Sequence, residues 1–243
     1  MSRPSLNLSI VSHGQGHLIR HLLADLTALQ ICEAGRDQVL LTLNIPEDEA
    51  FIGEFPELPL RVIRNTLPKG FGSNHNGAFA ASNGAIFVVL NPDVRLSELP
   101  VEPMLQAFQS GTGAWAPTVF NSEGGIEDSA RRFPTFMRLF RRAVLRQRRP
   151  DYTPTDRPVP VDWVAGMVIA FPRAAFAAVQ GFDERYFMYM EDADICRRLG
   201  RSGYTVVIDP RVRVVHDAQR ASRHSRKHQA WHLRSALRFL TGL

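Results

Sequence analysis

Short apolar runs separated by helical spacing set the tightest limit on how this chain can fold. LNLSIVS (6–12) reads as a strand, HLIRHLLADLTALQ (17–30) has the apolar spacing of a helix, and VLLTLNI (39–45) reads as a second strand. A Pro- and acid-rich loop, PEDEAFIGEFPELP, leads to a third strand, LRVIRN (60–65). KGFGSNHNGAFAASNG turns through glycines into a helix of small residues, and AIFVVLNPD (85–93) is a buried strand ending in a turn. This β-α-β-α-β order predicts a parallel sheet with right-handed crossovers.

The second half is less regular. GAWAPTVF (113–120) and DWVAGMVIAF (162–171) read as strands, with a basic amphipathic helix (134–149) and a Pro-rich loop (150–160) between them. YTVVIDP and RVRVVH read as two short strands before a C-terminal helix near 224–241. No repeat or linker interrupts the 243 residues, and a hydrophobic share of 44% supplies a sizeable core, so one domain is expected. Cys32 and Cys196 form no metal or redox motif and read as reduced thiols of a cytosolic protein. The N-terminus lacks the apolar stretch of a signal peptide, and AIFVVL (85–90) is far too short to span a bilayer. The formal charge of +5 is uneven: residues 131–149 hold eight arginines and no acid, and 211–243 hold eight Lys or Arg, one Asp and four His. Such clusters suit phosphate-bearing partners: nucleic acid, an anionic membrane or a lipid phosphate.

In an open parallel sheet, ligands bind beyond the carboxyl ends of the strands. That rule singles out Ser12 and His13, Asn44, Asn65 and Asn91-Pro92-Asp93, although Asn-Pro-Asp is also an ordinary turn sequence. KGFGSNHNG lacks the Walker and GxGxxG spacings, and His13 and His17 have a metal-ligand spacing with no carboxylate between them. FMYMEDADICRRL (187–199) crowds Glu191, Asp192 and Asp194 behind aromatics and methionines. A helix start explains Asp194, which can pair with Arg197 or Arg198, and Gly203 suits the C-cap. Glu191 and Asp192 exceed what a cap needs, and a carboxylate beside apolar walls can become a base. The local reading leaves both roles open. His216 ends another strand and gains weight as a ligand only if the fold brings it near Asp93.

Taken together, GFGSNHNGAFAASNGAIFVVLNPDVRL, PTVFNSEGGIEDSARRFPT, VDWVAGMVIAFPRAAFAAVQGFDERYFMYMEDADICRRL and the final VVH resemble family 2 glycosyltransferases. The resemblance runs from about residue 6 to 240 and is nearest the rhamnosyltransferase-like enzymes of bacterial surface-polysaccharide assembly. It implies an α/β GT-A fold, with a Rossmann-like, mostly parallel central sheet flanked by helices and a smaller acceptor-side sheet. A nucleotide-sugar half would span about 1–95, an acceptor and catalytic half about 96–220, and a basic helix about 221–243. Asn91-Pro92-Asp93 stands where the family has its DxD-type motif, so Asp93 would hold Mg²⁺ or Mn²⁺ on the donor diphosphate. His216 matches a histidine that completes the metal site in some relatives. Asp192, preceded by Glu191, would be the general base of a single inverting displacement. Ser12, Asn44, Asn76 and Asn91 fall where relatives contact the nucleotide, and Trp163, Ala165 and Gly166 where acceptor and donor sugar meet.

The partners implied are a dTDP- or UDP-sugar, with L-rhamnose as the sugar, and a saccharide or polyprenyl-diphosphate-linked acceptor. Three features depart from the family's pattern: the first strand leads into Ser-His-Gly-Gln-Gly-His, Asn44 replaces an Asp, and Asn91 replaces the first acid of the DxD motif. The two basic helices, with Phe136, Leu139, Phe140 and Val144 on one and Trp231, Leu237 and Leu240 on the other, suggest contact with the inner face of the cytoplasmic membrane. A sugar nucleotidyltransferase would need a basic signature near the first strand, of which HGQGH gives little. A nucleic-acid binder would need aromatics interleaved with the basic runs, so no nucleic acid is expected. A dead homologue that only binds sugar nucleotide would not need Asp93, Asp192 and His216 together.

Overall fold

The computed structural model describes residues 3–98, 101–138, 140, 151–152, 156–216 and 226–242. Strands β1 (Leu6–Ser12), β2 (Gln38–Leu43), β3 (Leu60–Arg64) and β4 (Ile86–Leu90) form a parallel block in the order β3-β2-β1-β4. Helix α1 (Gly16–Ala28) joins β1 to β2, and α2 (Phe71–Ala80) joins β3 to β4. These apolar runs are continuous because both faces of the sheet are covered. Leu8, Ile10, Leu41, Val88 and Leu90 pack with Ile19, Leu22 and Leu23 of α1 on one face, whereas Leu40, Phe87 and Val89 join the aromatic cluster of Phe171, Phe176 and Phe182 on the other.

Beyond β4 the sheet becomes mixed. β10 (Val168–Pro172) pairs antiparallel with β4 and with β6 (Thr112–Asn121), β11 (Thr205–His216) runs parallel to β6, and β5 (Val94–Leu96) closes the edge antiparallel to β11. With β8 (Val159–Pro160) on β11, this makes a nine-stranded sheet. A second, two-stranded sheet pairs β7 (Ala130–Arg131) with β9 (Trp163–Val164). Helix α3 (Val101–Gln109) covers the α1 face through Met104; α4 (Arg173–Ala178), α5 (Glu191–Arg201) and α6 (Arg226–Thr241) cover the opposite face.

The structure corrects several sequence expectations. The stretch 162–171 is two strands, because Ala165–Met167 turn the chain from the small sheet into the large one. YTVVIDP and RVRVVH form one strand whose register slips between Asp209 and Arg213. Pro210 cannot donate to a ladder, and fully buried Asp209 satisfies the bulge by accepting from the Arg211 N–H (3.1 Å), Arg211 Nε (2.9 Å) and Trp115 Nε1 (3.3 Å). β5 and α3 carried no readable signal. β5 is only three residues long, and it is a strand because β11 and Asp25 hold it: Arg95 forks onto Asp25 at 2.7 Å, and the Leu96 N–H donates to the same carboxylate at 3.0 Å. Of the basic helix expected at 134–149, residues 136–138 and 140 are helical; Leu139 and 141–149, including Val144, lie outside the described residues.

Candidate active site

Two clusters of polar side chains lie at the carboxyl ends of the central strands, where strand order reverses around β1 and β4. The first grows from the turn after β4. Asp93 Oδ2 lies 3.1 Å from His216 Nε2, because β5 pairs Val94 directly with His216 at the end of β11. The other imidazole nitrogen, Nδ1, lies 2.9 Å from Glu127 Oε2. Glu127 arrives from the hairpin after β6, where its N–H donates to the Val119 carbonyl at 2.8 Å. Burial pulls the His216 pKa down, but the carboxylates of Asp93 and Glu127 outweigh it and hold the imidazole above its ordinary value. Asp93 Oδ1 is buried and has no protein partner among the described residues.

This set fits a divalent cation. Asp93 offers a free buried oxygen, His216 offers Nε2 once that atom loses its proton, and Glu127 on Nδ1 fixes the ring as carboxylates do behind metal-ligating histidines. Among the described residues, no three His, Cys, Asp or Glu side chains form a ready-made metal cage, so the remaining ligands would be phosphate oxygens and water.

The second cluster stands at the N-terminus of α5. Asp192 Oδ1 accepts from the Ala193 N–H at 2.8 Å, and Oδ2 accepts from the Gly166 N–H at 3.1 Å. Burial raises the Asp192 pKa, while the two N–H groups and the charge of Arg131 moderate the rise. Neighbouring Glu191 is 5% exposed with Oε2 unpartnered, and burial plus the Asp192 charge push its pKa well up. Asp194 is spent on structure: Arg197 Nη2 donates to it at 3.0 Å and Arg198 Nε at 2.7 Å. The expected pairing of Asp194 with Arg197 and Arg198 therefore holds, without a side-chain cap at the helix start, and Gly203 follows the helix end with a φ of +86°.

One turn joins the clusters. The Met167 carbonyl accepts from the Asn91 N–H at 2.9 Å, and Gly166, one residue earlier, donates to Asp192. A Cβ at Gly166 would sit 3.1 Å from Phe71 Cζ, a tight contact that the Phe71 ring would have to yield to.

The chain entering α5 is strained. Tyr189 and Met190, neither of them glycine, have φ values of +71° and +67° in the left-handed region. Two neighbours hold this bend. The Phe71 N–H donates to the Phe187 carbonyl at 2.9 Å, and on the other side Ser235 Oγ of α6 donates to the Met188 carbonyl at 2.8 Å. Tyr189 Oη meets His228 Nδ1 at 2.8 Å, and Trp231 packs on Phe187 at 4.8 Å between ring centres. A Cβ on Gly70 would approach the Phe187 carbonyl oxygen to 2.6 Å and its Cα to 2.9 Å, both rigid backbone. Gly70→Ala should therefore cost about 1–3 kcal/mol in urea unfolding and reduce turnover as well. Loss of neither would show that the bend does not depend on α2.

The remaining expected residues hold the scaffold. Ser12 is fully buried, and its Oγ accepts from the Gln15 N–H at 3.1 Å, shaping the SHGQGH turn. Asn44 Nδ2 donates to the Lys69 carbonyl at 2.9 Å, while its Oδ1 accepts from the Lys69 N–H (2.8 Å) and Asn65 Nδ2 (2.9 Å). A carboxylate could only accept, so the Asn in place of the family's usual Asp has a structural reason here. Asn76 ties α2 to the segment before the bend, exchanging bonds with Phe182 N and O at 2.9 Å. Trp163 is buried, and its Nε1 donates to the Arg132 carbonyl at 3.0 Å. Glu127 and Arg131 were not picked out from sequence: nothing in the spacing of IEDSARR marks either, and only the β6 hairpin and the β7–β9 pairing bring them to the site.

A family model described as the N-terminal domain of galactosyltransferase matches residues 150–225, a span that includes Trp163, Gly166, Asp192 and His216. An N-acetylglucosaminyl-diphospho-decaprenol L-rhamnosyltransferase of Mycobacterium tuberculosis is 32% identical over 90% of this chain and 80% of its own length. Rhamnosyltransferase WbbL of Escherichia coli K12 is 29% identical over 95% of this chain and 90% of its own. Among solved structures, GalNAc-T7 with UDP, GalNAc and Mn²⁺ superposes with a TM-score of 0.71 at 14% identity, over 97% of this chain and 47% of that one. At that identity the likeness carries the fold alone, a GT-A sheet flanked by helices.

Proposed function

The chain belongs to the rhamnosyltransferase-like branch of the family 2 glycosyltransferases, enzymes of sugar transfer in polysaccharide synthesis, and from that premise we propose an inverting, metal-assisted transfer of L-rhamnose from a nucleoside-diphosphate donor to a diphosphate-lipid-linked sugar. The observation that carries this reading is the shared turn: Gly166 holds Asp192 while Met167 holds the Asn91-Pro92-Asp93 turn. A base and a diphosphate site must face opposite sides of one anomeric carbon, and adjacent residues of a single turn fix their separation.

Asp93 and His216 would hold the cation, with Glu127 orienting His216. Bound there, a divalent ion would neutralise charge building on the leaving diphosphate. Asp192 takes the proton from the acceptor hydroxyl as that oxygen attacks. Its Oδ2 is steadied by the Gly166 N–H, and its raised pKa makes it a stronger base than an exposed carboxylate. One displacement breaks the bond from sugar to diphosphate and forms the new glycosidic bond on the opposite face. No covalent sugar intermediate forms, so one base is sufficient. Glu191 is buried beside Asp192, and burial together with the Asp192 charge disfavours a second negative charge there. Ser12, Asn44 and Asn76 support the nucleotide pocket through the backbone they hold. Ala165 and Gly166 line the place where donor and acceptor sugars meet.

A place at the cytoplasmic membrane face is part of this reading. Phe136, Met137 and Phe140 are each more than 60% exposed at the start of the arginine-rich stretch, and Leu233 and Leu237 are exposed beside Arg234 on α6. No helix among the described residues is long and apolar enough to cross a membrane. Trp231 and Leu240, expected on the same surface, are partly buried: Trp231 stacks on the exposed Phe187 ring, and Leu240 packs against the core.

The test is transfer from dTDP-, UDP- and GDP-sugars to a diphosphate-lipid-linked sugar presented on anionic vesicles. One donor should be used, dTDP-rhamnose foremost, giving a product of inverted anomeric configuration and a rate that falls as salt screens the vesicle surface. A product of retained configuration would overturn the single displacement. Equal rates on neutral and anionic vesicles would remove the membrane element.

A further inference from the structure

Arg131 is anchored in an unusual way. In the small sheet it lies directly opposite Trp163, its guanidinium 5.4 Å over the indole, with Nε donating to the Asp128 carbonyl at 2.8 Å. Nε also lies 3.1 Å from the Asp128 carboxylate. Trp163 is itself fixed through its indole N–H to the Arg132 carbonyl, so the platform is rigid. Among the described residues, every hydrogen bond that Arg131 donates leaves from Nε, and its two terminal nitrogens stay available on a side chain 33% exposed.

The small sheet sets where that side chain lies. Two residues before Arg131, the Ser129 carbonyl accepts from the Ala165 N–H at 2.7 Å, and the next residue, Gly166, donates to Asp192 at 3.1 Å. Arg131 therefore lies across the Gly166 turn from the base, and its charge lowers the Asp192 pKa against the larger rise from burial. A rigid planar fork with two free nitrogens is the arrangement that recognises phosphate oxygens in a bidentate manner.

We infer that Arg131, braced on Trp163, forms an anion subsite next to Asp192 that takes the diphosphate of the lipid-linked acceptor. This rests on the acceptor class named under Proposed function. In an acceptor whose reacting hydroxyl and diphosphate sit on the same sugar, the anion must lie one ring away from the base, and Arg131 occupies that neighbourhood. Trp163, which is too buried to present its own face, serves as the floor beneath the cation.

The experiment compares two acceptors bearing the same sugar, one linked to a short isoprenyl diphosphate and one to a plain alkyl chain, at the pH plateau where Asp192 is ionised. Arg131→Gln should lower kcat/KM for the diphosphate acceptor about tenfold or more, mainly through KM, and lower it several-fold less for the alkyl glycoside. Arg131→Lys should recover part of the loss, as a point charge without the fork. Equal losses on both acceptors would make Arg131 a positioning residue for Asp192 and overturn the subsite. Weaker nucleoside-diphosphate binding in Arg131→Gln would assign the charge to the donor and overturn it as well. If the unaltered chain transfers to neither acceptor, the function reading fails. Calorimetric binding of the isoprenyl-diphosphate sugar then decides the subsite alone: an affinity unchanged in Arg131→Gln overturns it, and a tenfold drop supports it.

Discussion

Asp192→Asn is expected to lower kcat by about a thousandfold, the upper-middle range for losing a general base, while nucleoside-diphosphate affinity stays as it was. The amide keeps an oxygen for one of the N–H groups that Asp192 now satisfies, Gly166 or Ala193, so the turn is retained and only proton acceptance is lost. The same substitution should leave the protein as stable or more stable. Burial raises the Asp192 pKa above that of the unfolded chain, so the folded state binds more protons and its stability falls as pH rises through this window. Removing the charge removes that penalty at neutral pH, which is the trade between stability and activity expected of a buried base. In the unaltered enzyme, kcat/KM should rise along a limb that lies above the ordinary carboxylate range. A limb at the usual carboxylate position, or an Asp192→Asn variant that retains activity, would move the base elsewhere, with Glu191 the first alternative to test.

The second large effect belongs to Asp93. In the unaltered chain, Mn²⁺ and the correct nucleoside diphosphate together should raise Tm beyond either alone, because both bind only the folded state. Asp93→Ala should abolish that joint stabilisation, leaving His216 with Glu127 as its sole acidic neighbour. Glu127→Gln is the sharper variant, since Glu127 meets His216 at Nδ1, the ring nitrogen that does not face Asp93. Losing an outer carboxylate of this kind typically weakens metal binding 10- to 100-fold. Mn²⁺ titration by calorimetry reads both variants. Full metal-dependent binding in Asp93→Ala would remove the cation from this site.

How far the sequence reached depends on the range of the interactions concerned. The parallel block was legible because each of its strands is an apolar run bounded by turn residues, and each helix carries its own spacing. β5 was invisible, since VRL becomes a strand only through His216, Val215 and Val214 of β11. The break inside 162–171 was invisible for a similar reason: WVAGMVIAF (163–171) carries no charged residue to mark a turn, and a tertiary bond from Gly166 to Asp192 holds the chain where the two strands part.

The candidate site divides in the same way. The place of Asp93 and His216 at strand ends, and the pairing of Asp194 with Arg197 and Arg198, follow from turn signals and helical spacing, which are local properties of the chain, whereas Asp192 was singled out only by the family resemblance. Glu127 behind His216, Arg131 over Trp163, and α6 bracing the strained Tyr189-Met190 bend join residues 32 to 89 positions apart in sequence, or across the two sheets. By itself the sequence determined the parallel block, since periodicity and turn chemistry act over a few residues, and its resemblance to a family supplied the reaction class and the acids expected to serve it. How deeply each acid is buried, which imidazole nitrogen meets Glu127 and which meets Asp93, and what braces the Arg131 guanidinium were decided by tertiary structure alone, because burial and charge depend on neighbours in space.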